Sequence, residues 1–255
     1  PMIGKLIVFA TNDKEDMAIN GSTDQFIVGG TDDITTDSIG PSIYCYLNSP
    51  SFSNGDNVNP TPYFVAELED EDGLNTSGSG IGHDLQLIID DNPAMTYNLN
   101  DNFSFNFGSF TKGSTYYNLP ELEEGVHKLK FTAWDIKNNP STISLKFNVV
   151  HGLTPKLTSI GCSNNPATTN TKFIVNHDRG GSNVNIRIEV FDMSGRILWT
   201  HNESTVSATN TYTYDWDLCT ENGGKLQSGV YLYRVRLNCD NSSEVSKARK
   251  LIILY

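Results

Sequence analysis

Hydrophobic and polar residues alternate along much of this 255-residue chain, and sustained helical periodicity is nearly absent. In residues 143–149, for example, Ile143, Leu145, Phe147 and Val149 alternate with polar neighbours. A period of two is typical of antiparallel strands that bury one face. The sequence therefore predicts an all-β fold.

Clusters of Gly, Asn, Asp and Pro separate the apolar runs at short intervals, as they do in β-sandwiches. The chain is long enough for two ordinary domains. A short stretch with a glycine and a proline, residues 151–155, separates two strand-rich sets. We therefore predict two immunoglobulin-like antiparallel β-sandwich domains in tandem, residues 41–151 and 152–255. Because the linker contains little apolar surface, we expect the two to unfold with some independence.

Each predicted domain has its own set of strands. In the middle domain the runs are residues 43–47, 63–68, 85–89, 128–134 and 143–149. In the terminal domain they are residues 173–175, 184–191, 197–200, 211–216, 229–237 and 245–254, with a tight turn at 192–195. The first 40 residues contain only two apolar runs, 5–10 and 26–28, which cannot bury a core alone. This N-terminal strand segment, residues 1–40, either packs on the middle domain or belongs to an upstream domain.

The net charge of −12 limits the partners of the chain. Phosphate backbones and anionic membrane surfaces require clustered basic residues, so nucleic acid is excluded as a partner. The local basic cluster, residues 247–250, precedes an apolar run and is interpreted as a solvated strand flank rather than a polyanion site. No run approaches the roughly 20 apolar residues that span a bilayer, so no direct membrane span is predicted.

The four cysteines show none of the close pairs of a zinc or redox site. Cys45 lies in an alternating run and is predicted to be buried, whereas Cys162 and Cys219 are assigned to loops. If residues 231–238 are extended, Cys239 lies roughly 30 Å from the Cys219 loop, too far for a disulfide unless the loop reaches along the sheet. A nucleophilic Cys also needs a nearby base, and no His lies close in sequence to these loop cysteines. We therefore predict no catalytic residue. The alternative is a Cys–His pair whose two residues are distant in sequence but adjacent in the folded chain.

Two acidic segments offer the hard oxygen ligands that calcium uses. The candidate ligands are Glu69, Asp70, Asp72, Asp90 and Asp91. Their spacing does not match an EF-hand loop, and a solvated acidic loop is the alternative. No other cofactor is predicted.

Three tryptophans suggest a glycan-binding surface, because flat aromatic rings stack on sugars. Trp216 continues the alternating face of Tyr212 and Tyr214, and Trp134 ends an apolar run, so core packing is favoured over sugar binding. A glycan-binding or adhesive sandwich remains the second functional hypothesis.

A set of motifs in residues 162–255 resembles a known module. In order they are Asn165-Pro166-Ala167, the strand at 184–190, Asp192-Met193-Ser194-Gly195-Arg196, Trp216-Asp217 and Ser228-Gly229-Val230-Tyr231. This order is similar to the C-terminal sorting domain of proteins exported by the type IX secretion system of Bacteroidetes, which is related to the FlgD-type immunoglobulin-like module. Ala167 departs from the aromatic residue that the family often has there.

The middle region resembles a narrower family. Its motifs are the acidic residues 67–72 with Gly73-Leu74-Asn75, Gly80-Ile81-Gly82-His83-Asp84, Trp134-Asp135 and Asn138-Asn139. They are similar to the gingipain-like cysteine endopeptidases that act as sortase of the type IX system. In that family the catalytic Cys and His precede this region, and no residue here matches them.

The resemblance implies that the chain is the non-catalytic C-terminal region of a cell-surface sortase. It would support an upstream peptidase domain and be held at the outer membrane by proteins of the attachment complex. The last strand, residues 251–254, would either offer a sheet edge for docking or complete the core.

Overall fold

The structure is a computed structural model that describes residues 2–11, 18–29, 37–78 and 82–255. Gly80 and Ile81 of the middle-region motif lie outside the described residues. The chain forms two compact units, Pro1–Ser38 and Ile39–Tyr255. Within the described ranges, no helix is long and apolar enough to cross a membrane.

The first unit contains an antiparallel pair of strands, β1 (Met2–Thr11) and β2 (Ala18–Val28). They include the two apolar runs predicted in the N-terminal segment. Ile3, Ile7 and Ile27 are each more than 60% exposed. Because two strands alone cannot bury a core, both interpretations of residues 1–40 stay open as predictions.

The second unit begins with a sandwich of two sheets, which we call the middle sandwich. Its strands are β3 (Ser42–Leu47), β4 (Asn57–Val58), β5 (Tyr63–Glu69), β6 (Gln86–Ile89), β7 (Thr96–Asn98), β8 (Ser104–Phe105), β9 (Lys112–Asn118), β10 (Gly125–Trp134) and β11 (Pro140–Val149), with short 3-10 helices at Pro93–Met95 and Asn100–Asn102. The sheets have the orders β3-β5-β9-β8 and β4-β11-β10-β6-β7. Their strand pairs are antiparallel except for the parallel pair β4–β11.

Alternating apolar residues build the core of this sandwich, as the sequence predicts. In β11, Leu145, Phe147 and Val149 are buried while their polar neighbours face outward. Phe64 of β5 and Phe131 of β10 bring the two sheets together, with ring centroids 5.3 Å apart. One buried face per strand is therefore the feature that holds the two layers together.

The terminal sandwich follows. Its strands are β12 (Leu157–Cys162), β13 (Thr171–His177), β14 (Asn183–Phe191), β15 (Ile197–Val206), β16 (Thr211–Trp216), β17 (Gly229–Cys239), β18 (Ser242–Val245) and β19 (Arg249–Ile253). One sheet has the order β12-β13-β16, and the other has the order β15-β14-β17-β18 with β19 also paired to β17. The fold is thus all-β, with two immunoglobulin-like sandwiches in tandem.

Three local predictions need correction. Cys162 ends strand β12, where it pairs with Phe173, and is not a loop residue. The run at 245–254 is divided between β18 and β19, which pair with different parts of β17. Strand β15 extends to Val206, beyond the predicted end at residue 200, because its polar residues still pair with β14. The turn at 192–195 is confirmed, with a positive φ of 88° at Gly195.

Candidate functional site

The first group of candidate calcium ligands lies at the end of β5 and in the turn that follows it. Asp70 is buried, and its Oδ1 accepts hydrogen bonds from the backbone N–H groups of Asp72 and Gly73 at 2.9 and 3.2 Å. Burial raises the pKa of the Asp70 carboxyl, and these hydrogen bonds offset only part of that effect. The other two carboxylates face lysines: Glu69 Oε1 lies 2.6 Å from Lys112 Nζ, and Asp72 Oδ2 lies 2.8 Å from Lys137 Nζ.

The second group lies in the turn after β6. Asp90 Oδ2 is 2.7 Å from His127 Nδ1, and Asp90 Oδ1 accepts a hydrogen bond from the backbone N–H of Lys128. Asp91 Oδ2 is 3.2 Å from Lys128 Nζ. Burial alone would lower the pKa of His127, but the Asp90 carboxylate and a hydrogen bond to the Glu123 carbonyl raise it overall.

The structure does not bring the two groups together. The turn after Asp70 bonds to the end of β10, where Asn75 N donates to Trp134 O, whereas Asp90 N donates to Lys128 O. Six residues of extended strand separate Lys128 from Trp134, which is roughly 20 Å. Among the described residues, no three His, Cys, Asp or Glu side chains form a group able to hold a metal. Calcium binding stays a prediction, and thermal unfolding with and without millimolar calcium tests it.

The four cysteines are free thiols, and burial raises the pKa of each of them. The pKa of Cys45 rises to about 12, in keeping with the burial predicted for it. A catalytic thiol instead has a lowered pKa, because the thiolate is the nucleophile. These environments fit a non-catalytic fragment.

The tryptophans of the terminal sandwich do not form an exposed platform. Trp199 and Trp216 are 9% and 3% exposed, and both stack in the core with Phe173. In the middle sandwich, Trp134 stacks on His83 with centroids 4.1 Å apart. The two buried rings therefore give no support to sugar stacking.

The last strand of the chain is held on both of its edges. On one side β19 pairs with β17, and Leu251 and Ile253 are fully buried. On the other side the segment around Asn165 follows the strand: Asn165 Nδ2 donates to Lys250 O, Ile252 N donates to Asn165 Oδ1, and Ala167 bonds to Ile252 and Leu254. Completion of the core is therefore the role that the structure supports for this strand. The Asn-Pro-Ala motif covers the edge that would otherwise be free for docking.

A buried polar cluster joins the two sandwiches. Asn59 Nδ2 donates to Ser182 Oγ at 2.9 Å, and the hydroxyls of Thr61 and Ser182 are 2.8 Å apart. Asn210 Nδ2 donates to Asn48 O at 2.8 Å. Asn48, Asn59 and Ser182 are each less than 8% exposed. Because buried polar groups are costly without partners, these bonds favour a defined contact between the sandwiches.

The linker is also fixed to the terminal sandwich. Arg179, fully buried, donates from Nη2 to Leu153 O at 2.9 Å and lies 2.9 Å from Asp178 Oδ1. Asp178 Oδ1 in turn accepts a hydrogen bond from Lys156 N at 2.7 Å. The linker composition did not reveal these contacts. Whether the sandwiches unfold separately stays a prediction, which urea unfolding of residues 156–255 alone would test.

Sequence reasoning missed these junction residues because Asn, Ser and Thr in turns are ordinary loop formers. The one signal was the cluster at residues 177–182, where His, Asp and Arg stand together between two strands. Only the packing of the two sandwiches shows which of these polar groups become buried.

No protein-family model matches the chain, and no curated protein matches it. Several solved structures are similar in fold. The fibronectin(III)-like modules of Clostridium thermocellum CbhA match with 12% identity over 82% of this chain and 93% of theirs, with a TM-score of 0.26. The Ig1-2 module of the Drosophila receptor protein tyrosine phosphatase DLAR matches with 10% identity over 84% of this chain and 99% of its own, with a TM-score of 0.30. Neither likeness is strong enough to bear on function.

A further match has a much higher sequence identity and TM-score. The dimeric latent form of PorU from Porphyromonas gingivalis matches 98% of this chain with 34% identity and a TM-score of 0.52. The matched region is 24% of the PorU chain. The chain is therefore similar, over almost its entire length, to about a quarter of PorU.

Proposed function

We propose that this chain is the non-catalytic C-terminal region of a PorU-type sortase of the type IX secretion system. In this role it supports an upstream gingipain-like peptidase domain and holds it at the outer face of the cell through proteins of the attachment complex. The observation that carries the proposal is the 34% identity to PorU across 98% of the chain, which includes both sandwiches.

The chemistry of the chain supports a structural role in such a protein. Its thiols have raised pKa values, and its buried polar groups serve contacts between and within the sandwiches. The junction also suits a spacer, because a hydrogen-bonded interface would keep the terminal sandwich in a constant orientation on the middle sandwich.

The gene that encodes the chain provides the first test. The proposal expects a gingipain-like domain with a Cys and a His encoded before residue 1 in the same reading frame. A glycosidase domain there would instead favour the glycan-binding alternative. The purified chain itself is expected to hydrolyse no peptide, so turnover that is lost on replacing one cysteine by alanine would contradict the proposal.

The anchoring role requires a separate test in cells. Residues 152–255 are deleted from the full-length parent, and surface retention is followed by labelling of intact cells and by assay of the medium. We expect a folded, active peptidase that is released or retained inside the cell. The control is the parent with Lys172→Ser, an exposed change in β13 that lies outside the sorting-domain motifs and should leave retention intact. Normal retention of the folded truncated protein would overturn the anchoring role.

A further inference from the structure

The charge of the chain is divided unevenly between its parts. Residues 1–151 carry seven Lys and Arg against 21 Asp and Glu, whereas residues 152–255 carry eleven against nine. All six arginines of the chain lie in the terminal sandwich. Arginine binds carboxylates through a planar, two-pronged donor group, which lysine cannot do. The terminal sandwich is thus the part of the chain equipped to recognise acidic groups.

Strand register places four of these basic side chains on one sheet face. In β14 and β17, Ile186, Ile188, Val235 and Leu237 are fully buried, so the alternating residues between them point outward. The outward positions include Arg187, Arg234 and Arg236, and Lys250 of β19 shares this face because it pairs with Leu232. We call this set, Arg187, Arg234, Arg236 and Lys250, the basic face.

One carboxylate lies within the basic face. Glu189 is buried, and its Oε2 accepts a hydrogen bond from Arg234 Nε at 2.6 Å. Its Oε1 is 3.0 Å from Arg187 Nε, close enough for an ion pair but without the geometry of a hydrogen bond. Arg187 and Arg234 nevertheless remain 44% and 39% exposed. Among the described residues, the basic face therefore contains one negative charge and four positive ones.

The stability of the sheet does not explain why Arg236 and Lys250 lie on this face. Arg187 and Arg236 lie directly opposite each other on adjacent strands. Like charges in this arrangement destabilise a sheet, so the pair counts against folding. Within the described residues, no carboxylate forms an ion pair with Arg236 or Lys250, and both are exposed. An anionic partner would remove this repulsion.

We propose that the basic face binds an extended acidic segment of a partner protein. Arg234 and Arg236 are two residues apart on a strand, a spacing of roughly 6.6 Å, and alternate side chains of an extended peptide repeat at the same distance. Carboxylates on one side of such a peptide would therefore meet successive arginines. Mobile lipid headgroups keep no such fixed spacing, so the register of the arginines favours a peptide over an anionic membrane as the occupant. The proposal does not depend on the function proposed above, because it concerns the purified chain alone.

The test measures binding of a fluorescein-labelled octaglutamate peptide by anisotropy at low salt. The variants are Arg236→Ser, Lys250→Ser and the double change, and the control is Arg196→Ser, which removes an exposed arginine away from the face. Each single change should weaken binding about two- to fivefold and the double change about tenfold, as expected for exposed charge pairs. The control should stay within twofold of the unaltered chain, and binding should weaken as salt rises.

Two further binding measurements distinguish an acidic peptide from phosphate and from an anionic lipid surface. Inorganic phosphate and phosphatidylglycerol vesicles are offered in place of the peptide, and both should bind more weakly than octaglutamate. Arg236→Glu should weaken octaglutamate binding further than Arg236→Ser. Urea unfolding of every variant confirms that the chain remains folded. Absence of octaglutamate binding by the unaltered chain, equal binding by the double variant, or preference for vesicles would each overturn the proposal.

Discussion

Lowering the pH should destabilise the chain through His177, which lies beneath the junction between the sandwiches. The ring is 1% exposed, and its Nδ1 accepts a hydrogen bond from Arg179 N at 3.1 Å. Its Nε2 is 3.2 Å from the hydroxyl of Ser207. Burial, together with the charge of Arg179, lowers the pKa of His177 to about 4. The folded chain therefore holds this ring in its neutral form.

The sign and size of the effect follow from this lowered pKa. Between pH 6.5 and about 4 the unfolded chain binds a proton at His177 while the folded chain does not, so stability falls as the pH falls. The total effect is about 3 kcal/mol, since each pKa unit corresponds to about 1.4 kcal/mol. Between pH 7.5 and pH 5 the free energy of unfolding should fall by about 2 kcal/mol from this residue alone.

Urea unfolding at pH 7.5, 6 and 5 measures the effect, with His177→Gln as the comparison. Glutamine does not titrate, so the variant should lack the loss of about 2 kcal/mol between pH 7.5 and pH 5. His127 and the carboxylates titrate in both proteins and cancel in the difference. The same pH dependence in both proteins would refute the reasoning, whatever the stability of the variant at pH 7.5.

Three further outcomes are expected. Leu251→Ala should reduce the free energy of unfolding by about 2–5 kcal/mol, because the side chain is fully buried in the core. Leu254→Ala, at a half-exposed position, should change it little. Equal losses in urea unfolding would contradict the placement of β19. Asn165→Ala should cost about 1–2 kcal/mol, since it removes both side-chain bonds to β19; an unchanged midpoint would show that the edge is held by other contacts. Cys45 and Cys239 are buried and should resist a thiol reagent until urea unfolds the chain, so labelling of all four cysteines in the native state would be inconsistent with the fold.

Local patterns were sufficient to predict the fold class and most of the strands, although β9 and β12 were not among the predicted runs. The alternation of Leu145, Phe147 and Val149 predicts which side of β11 is buried, because the two faces of a strand are set by sequence parity alone. The same reasoning predicted the burial of Cys45 and Trp216. It misplaced Cys162, whose strand has few apolar residues and exists because it pairs with β13.

The candidate site was less accessible to sequence reasoning. Five carboxylates in two acidic segments predict calcium, which stays a prediction. Their pairing with lysines, with His127 and with backbone N–H groups depends on which turns meet at which end of a strand. Oxygen ligands make a metal site only when they converge, and convergence is a property of the packed structure.

Alternation along the chain decided that this protein is all-β, where most of its long strands lie and which of their residues enter the cores, because these depend on neighbours within a strand. Tertiary structure alone decided how Asn59 meets Ser182, how Arg179 reaches the linker, and how Arg187 comes to stand opposite Arg236. Each of these contacts joins residues far apart in sequence, and their pairing is set by strand register and domain packing. No local pattern encodes either one, so the junction and the basic face become visible only in the folded chain.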